Sequence, residues 1–294
     1  MRETNNMFTG DEYHFRFGIW MSNKRRIQEH NRANLGFTLA LNKFAHMTKS
    51  EYESLLGTTM PNSFGKNGKK AEKINSDISE HVDWREKNVV NPIQNQGACG
   101  SCWAFSAIQA QESAYAIKTQ VLQKLSEQFC VDCVDASHGC NGGWMDYVYD
   151  WVTYNTHGKY MLLSDYPYKG VQGSCIYDKT KLTSHLEGYY NVPRQNETAL
   201  AEYIANYGPA AIAVNASPYT FTYYSGGVYT DSACIATMLN HGVGCVGFGK
   251  EGDKKYWIVR NSSGPEWGEK GYIRIGRDMG NLCGVSSAAF VPYA

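Results

Sequence analysis

From Asp11 to about position 33 the chain keeps a helical period. Glu12, Arg16, Trp20, Asn23, Ile27 and Asn31 are spaced 4, 4, 3, 4 and 4. At about 100° per residue they fall within one arc of roughly 100°. The stripe predicts a single helix, although its mixture of polar and aromatic residues is unusual for a plain core face. From Gly57 to Asp77 the pattern collapses into Gly, Asn, Ser and the lysines Lys66, Lys69, Lys70 and Lys73. That composition predicts a linker with too few apolar residues to hold itself down. Residues 78–188 are helix-rich, with cysteines and glycine turns, and Trp103 to Lys118 is strongly helix-forming. From about Tyr189 short β-branched and aromatic runs alternate instead: Ala210–Asn215, Gly242–Gly249, Tyr256–Asn261 and Tyr272–Ile275. These predict strands. No internal repeat is visible.

The 294 residues suffice for more than one folding unit. No apolar run is long enough to cross a membrane. Nine cysteines point to disulfides and an oxidising compartment, whereas the opening MRETNNMFTG lacks the apolar segment of a secretory leader. The two fit together if a leader has been removed. The net charge of zero divides unevenly. Residues 1–77 carry 12 Lys/Arg and 8 Asp/Glu, a net of +4, and residues 78–294 carry 16 and 20, a net of −4. The front part and the remainder should attract each other. Neither has the concentrated basic face of a nucleic-acid binder.

Candidate chemistry gathers between Gln94 and Ser106, QNQGACGSCWAFS. Cys102 lies between the turn residues Gly100 and Ser101 and the helix-forming run. A thiol at a helix start feels the positive end of the dipole, which favours thiolate. Gln96, six residues upstream, can turn an amide donor to the same spot. Attack on an amide also needs a proton donor for the departing amine and a group to orient that donor. His241, in Asn240-His241-Gly242-Val243, and Asn261, in Asn261-Ser262-Ser263-Gly264, are candidates. The short cysteine spacings admit other readings. Cys99-x-x-Cys102 lacks the βαβ context of a redox pair, and Cys130-x-x-Cys133 with Cys140 has no second ligand pair to complete a zinc site. His138, beside a cysteine-rich turn, is expected at the surface. No metal or cofactor is called for.

Cys99-Gly100-Ser101-Cys102-Trp103 matches C-G-[SA]-C-[WY] at every position. By this motif the chain resembles the papain-like cysteine proteases, nearest their cathepsin L-like branch. The stripe from Glu12 to Asn31 resembles the E-R-F-N-I-N pattern of their propeptides, with Trp20 in the Phe position. Ala40 to His46 resembles G-x-N-x-F-x-D, with Ala40 for Gly and His46 for Asp. Ile78-Ser79-Glu80-His81-Val82-Asp83-Trp84-Arg85 looks like the start of the mature enzymes. The resemblance implies an α+β zymogen: an inhibitory propeptide with linker over 1–77, then a two-lobed peptidase over 78–294. Its lobes would be helical over about 78–188 and β-barrel-like over about 189–294, with the cleft between them.

Carried over residue by residue, Cys102 is the nucleophile, His241 its imidazolium partner and later general acid, and Asn261 the orienter of the ring. Gln96 and the Cys102 N–H form the oxyanion hole. The implied bridges are Cys99–Cys140, Cys133–Cys175 and Cys234–Cys283. Cys130 and Cys245 are left as buried thiols or as a further bridge. Gly142, Gly143 and Trp144 resemble the wall that pairs with substrate backbone, with Asn240 and Trp267 also bordering the cleft. Met145, Ala213, Leu239 and Ala288 line the pocket for the second residue before the cut. All four are apolar, which implies a preference for Leu, Val or aromatic residues there. Without the His-rich insertion of cathepsin B, endopeptidase activity is expected. Partners are protein and peptide substrates, the chain's own propeptide and cystatin-type inhibitors, acting on a monomer in an acidic, lysosome-like vesicle or outside the cell. A catalytically silent, peptide-binding or inhibitory relative is the alternative.

One departure concerns Ser263, where the family has Trp. It predicts a more exposed His241–Asn261 contact and a more open leaving-group side, with Trp267 compensating. His46 predicts acid release over a different pH range, because it gains charge on acidification. Asn196-Glu197-Thr198 is a glycosylation candidate; Asn215 is followed too closely by Pro218, and Asn261 sits at the catalytic position.

Overall fold

The computed structural model describes residues 8–70, 74 and 77–294. Helix α1 spans Gly10–Arg32, with Asp11 and Glu12 in its first turn and His30 and Arg32 in its last. Those charges suit the helix dipole. The polar members of its stripe hold the segment that follows. Asn31 donates to the Leu39 carbonyl at 2.8 Å and accepts from the Leu39 N–H at 2.9 Å, fixing β1 (Phe37–Leu39). Asn23 donates to the Ala45 carbonyl at 3.0 Å. Arg16 bonds Glu12 at 2.6 Å and grips Glu51 of α2 (Lys49–Glu53) with both terminal nitrogens. Thr48 and Glu51 cap α2 reciprocally. This accounts for the stripe's composition: it satisfies backbone and carboxylate groups as well as burying Ile27.

The short strands β2 (Lys69–Lys70) and β3 (Val82–Asp83) come next. Helices α3 (Cys102–Thr119), α4 (Glu127–Cys133) and α5 (Met145–Thr156) then build one core around Trp103, Ile108, Phe129, Trp144 and Tyr149. The remaining elements are β4 (Gly188–Asn191), α6 (Glu197–Tyr207), β5 (Ala210–Val214), α7 (Tyr219–Thr222), β6 (Tyr224–Tyr229), β7 (His241–Glu251), β8 (Lys254–Arg260), β9 (Tyr272–Gly276) and β10 (Ala289–Tyr293). They supply a second core, which Phe37, Leu39, Phe44 and Tyr52 from the front of the chain join.

The strands form one sheet in the order β1-β6-β9-β8-β7-β5-β10-β4-β2, with β3 beside β7. It does not close, so the barrel-like expectation is met only by an open sheet. The front segment supplies the strands at both ends of this order: β1 antiparallel to β6, and β2 parallel to β4.

The linker expectation needs correction. After Gly57 the chain is docked along much of its length. Phe64 packs against Trp144 and Phe290, with ring centroids 5.2 and 5.8 Å apart, and Lys69–Lys70 adds to the sheet. One aromatic ring and a few backbone hydrogen bonds to the rest of the molecule replace the missing apolar run. Residues 71–73 and 75–76 of that expected linker lie outside the described residues.

Disulfides join Cys99 to Cys140, Cys133 to Cys175 and Cys234 to Cys283. The further bridge between Cys130 and Cys245 is not made: both are buried thiols, one in the helical core and one in the sheet core. No described helix is long and apolar enough to cross a membrane.

Candidate active site

Cys102 is the first residue of α3, after Ser101, and is fully buried. The hairpin of β7 and β8 brings the other two candidates to it. His241 opens β7, paired with Val214 of β5, and Asn261 follows β8, which runs antiparallel to β7. His241 Nε2 lies 2.8 Å from Asn261 Oδ1, and the two residues are 3 % and 4 % exposed. This bond leaves Nδ1 for the thiol. Nδ1 has no hydrogen-bond partner of full geometry among the described residues, so attraction between charges carries most of the coupling.

Burial pushes the Cys102 thiol up, but the charge of the neighbouring His241 ring, with the contacts to the Thr58 hydroxyl and the Gly242 N–H, outweighs it and brings the thiol below its ordinary value. Burial pulls the His241 imidazole down, while Cys102 and Asn261 raise it above its ordinary value. Each group thus favours the charged form of the other.

Gln96 stands beside them. Its Nε2 donates to the Leu55 carbonyl at 2.9 Å and to the Cys99 carbonyl at 3.1 Å, and its Oε1 accepts from Ser262 at 2.6 Å. The front segment meets Gln96, Cys102, Gly143 and Asn240 through Leu55, Gly57 and Thr58. The Thr58 hydroxyl lies 3.2 Å from Cys102 Sγ. The Gly143 N–H donates to the Gly57 carbonyl at 2.9 Å, and the Thr58 N–H to the Asn240 carbonyl at 3.2 Å. Thr58 and Gly143 form a parallel bridge. Gly57 is required here, because a Cβ on it would come 1.7 Å from the Gly100 carbonyl oxygen. What rests on the sulfur is a hydroxyl, which offers no carbon to attack.

The four pocket candidates Met145, Ala213, Leu239 and Ala288 are buried in one cluster. Gly142 has a positive φ of 120° and lies close under Gly57. Trp144 is buried against Phe64, and Trp267 is buried with its indole N–H donating to the Thr222 carbonyl at 3.1 Å. The exposed His241–Asn261 contact expected from Ser263 is not found in this form. Lys43, Phe44 and Leu55 of the front segment roof the small space between Ser263 and His241. Lys43 donates to Asn95 Oδ1 at 2.8 Å, and burial lowers its ammonium to about 8.

Sequence reasoning missed Thr58, Leu55 and Glu51. Only Glu51 left a signal, as the fourth residue of Thr-x-x-Glu. His138 is exposed, and Cys133 and Cys140 are held in disulfides, which removes the zinc alternative. The one described cluster with metal-ligand types, His81, Asp83 and Glu86, has its buried member committed to Arg85 at 2.5 Å.

Residues 78–293 match the papain family cysteine protease model, and residues 1–52 match the cathepsin propeptide inhibitor domain. The chain is 39 % identical over 296 residues to procathepsin L of Mus musculus, covering 97 % of this chain and 88 % of that one. Digestive procathepsin L 3 from the larval midgut of Tenebrio molitor superposes with a TM-score of 0.91 at 33 % identity, covering 99 % and 95 % of the two chains. The proform of the ragweed pollen allergen Amb a 11, a cysteine protease, gives 0.88 at 38 % identity, covering 99 % and 91 %.

Proposed function

The chain belongs to the papain family of cysteine proteases, as a cathepsin L-like zymogen with its inhibitory propeptide, and we propose that it matures into an endopeptidase working through Cys102, His241, Asn261 and Gln96. The Cys102 thiolate attacks the carbonyl carbon of the scissile amide, and a carbon–sulfur bond forms as charge moves to the oxygen. Gln96 Nε2 and the Cys102 N–H receive that oxyanion. His241 gives its proton to the amine as the carbon–nitrogen bond breaks. Water then attacks the thioester, loses a proton to His241 and releases the acid product and the thiolate. Asn261 keeps the ring oriented throughout.

The observation that carries this reading is the geometry: the His241 ring is held by Asn261 at 2.8 Å, and the next residue, Gly242, donates its N–H to the buried Cys102 sulfur at 3.4 Å, with the pKa directions of the two groups in agreement. Occupation of the Gln96 amide by a propeptide carbonyl supports its assignment as oxyanion donor. The division we propose is propeptide and linker over 1–77 and peptidase over 78–294. The parallel Thr58–Gly143 bridge supports a propeptide that runs opposite to substrate. The apolar cluster of Met145, Ala213, Leu239 and Ala288 supports a preference for Leu, Val or aromatic residues at the second position before the cut. Release in acid fits an enzyme of an acidic vesicle or an acidic medium outside the cell, acting as a monomer and open to cystatin-type inhibitors.

The test is titration of the acid-activated protein with an epoxide inhibitor of cysteine proteases, alongside turnover of Leu-, Phe- and Arg-containing fluorogenic peptides. One site blocked per molecule, with Leu and Phe preferred, is expected. A correctly folded protein without turnover is the silent relative, and preference for Arg overturns the pocket assignment.

A further inference from the structure

The linker's landing site is more elaborate than a tether needs. Phe64 enters a socket between Trp144 and Phe290, under the Arg194 guanidinium at 4.7 Å. Next to it the Gly65 N–H donates to Asp146 Oδ2 at 2.5 Å. Asp146 is 1 % exposed, and its Oδ1 has no partner among the described residues. Such a carboxylate is costly to keep unless something donates to it. Farther along, Asn67 bonds Asp150, Lys69–Lys70 pairs with the edge of β4, and the Lys69 ammonium lies over the Tyr293 ring at 4.5 Å. Every one of these acceptors belongs to the part that remains after the propeptide goes. Removal of the linker therefore leaves an aromatic socket, a buried acceptor and a bare strand edge in a row.

The row continues the cleft. Trp144 adjoins Met145 in sequence, and Phe290 lies two residues beyond Ala288; both neighbours belong to the pocket proposed for the second residue before the cut. Phe64 in its socket lies six positions after Thr58, which rests on the catalytic sulfur. A strand edge with side pockets is a general device for holding extended peptide.

We propose that this groove is an exosite of the mature enzyme that docks protein substrates upstream of the cut, taking an extended segment with an aromatic residue about six positions from the scissile bond and lysines beside it. It rests on the endopeptidase reading and adds a second contact to it. Composition supports the occupant: Lys66, Lys69 and Lys70 follow Phe64 in the segment that covers Asp146, Asp150 and the Tyr293 ring, with Gly65 donating to Asp146, Asn67 to Asp150 and the Lys69 ammonium over the ring. Short peptides that end within the cleft would not reach it.

A fluorescein-labelled copy of residues 62–70, Asn-Ser-Phe-Gly-Lys-Asn-Gly-Lys-Lys, serves as the probe. It is titrated into acid-activated protein whose Cys102 is blocked by epoxide, and anisotropy is followed. Saturable binding is expected, weakened about tenfold, equivalent to about 1.4 kcal/mol, by Phe→Ala in the peptide or Arg194→Ala in the protein. In parallel, a Leu-containing fluorogenic substrate is compared with the same substrate extended upstream by an aromatic and lysine segment. The extension should lower KM, and Arg194→Ala should abolish that gain while leaving the short substrate unchanged. Binding no better than that of a scrambled peptide, or equal KM for both substrates, overturns the exosite. Loss of turnover on the short substrate would instead count against the endopeptidase reading.

Discussion

His46→Asp should move propeptide release to lower pH. His46 is buried beside the Phe8 ring, its carbonyl accepts from Arg16 at 3.2 Å, and both burial and the nearby Arg16 charge lower its pKa from 6.5, with Glu51 pulling the other way. The bound propeptide therefore favours neutral His46. Above about pH 6.5 both bound and released forms are neutral there, and stability is whole. As pH falls from 6.5 toward the depressed value, only the released form gains a proton, so stability is lost in that window. Each pH unit between the two values removes about 1.4 kcal/mol, a tenfold gain in the open fraction. The adjoining ion pair does not share this window, because Arg16 holds the Glu51 carboxyl down at about 2. An Asp at 46 reverses the sign. Beside Arg16 it would be held ionised in the bound form and would lose its stabilisation only below an ordinary value of about 3.9. The onset of release should drop by about 2.6 pH units, the interval between the two ordinary values. Autoprocessing of both proteins from pH 3.5 to 7 at low concentration, followed by appearance of turnover, measures the shift. Superimposable curves would refute the reasoning.

Three further outcomes are expected. Ser263→Trp should weaken inhibition by added propeptide about fivefold or more, since Lys43 and Phe44 fill the space an indole needs and overpacking costs about 1–3 kcal/mol; an unchanged inhibition constant contradicts this. On the mature enzyme the same variant should shift the pH–rate profile or the leaving-side preference. Gln96→Ala should cut kcat by about 10²–10³ as an oxyanion donor is lost, and by removing the bond to Leu55 it should also loosen the propeptide; a normal kcat excludes Gln96 from the hole. Asn261→Ala should move the alkaline limb of the pH–rate profile to lower pH, because the Asn261 bond helps raise His241; a fixed limb would show that the ring is held some other way.

What was legible in the sequence had local chemistry behind it. The α1 stripe and the strands from Ala210 to Gly276 follow from side-chain period, and Cys102 from its glycine turn and helix start. His241 and Asn261 became candidates only through their flanking residues, since the hairpin that joins them is a tertiary fact. That a propeptide closes the cleft came only through the resemblance, and the residues that close it were not legible. Leu55, Gly57 and Thr58 act mostly through backbone groups, which leave no mark on composition. Phe64 gives the linker its hold with a single ring, too little to alter a periodicity. The cover over Ser263 in this form was not legible, because it comes from residues more than 200 positions away.

The two ends of the sheet have a consequence for how such a protein is stored. Before cutting, the lone edges of β6 and β4 are each occupied by a strand of the front segment, and Phe37 shields the Tyr229 ring. If maturation removes residues 1–77, as proposed, both neighbours go at once and rows of N–H and C=O groups that invite other chains to add on are bared. The uncut molecule should then tolerate crowding better than the cut one.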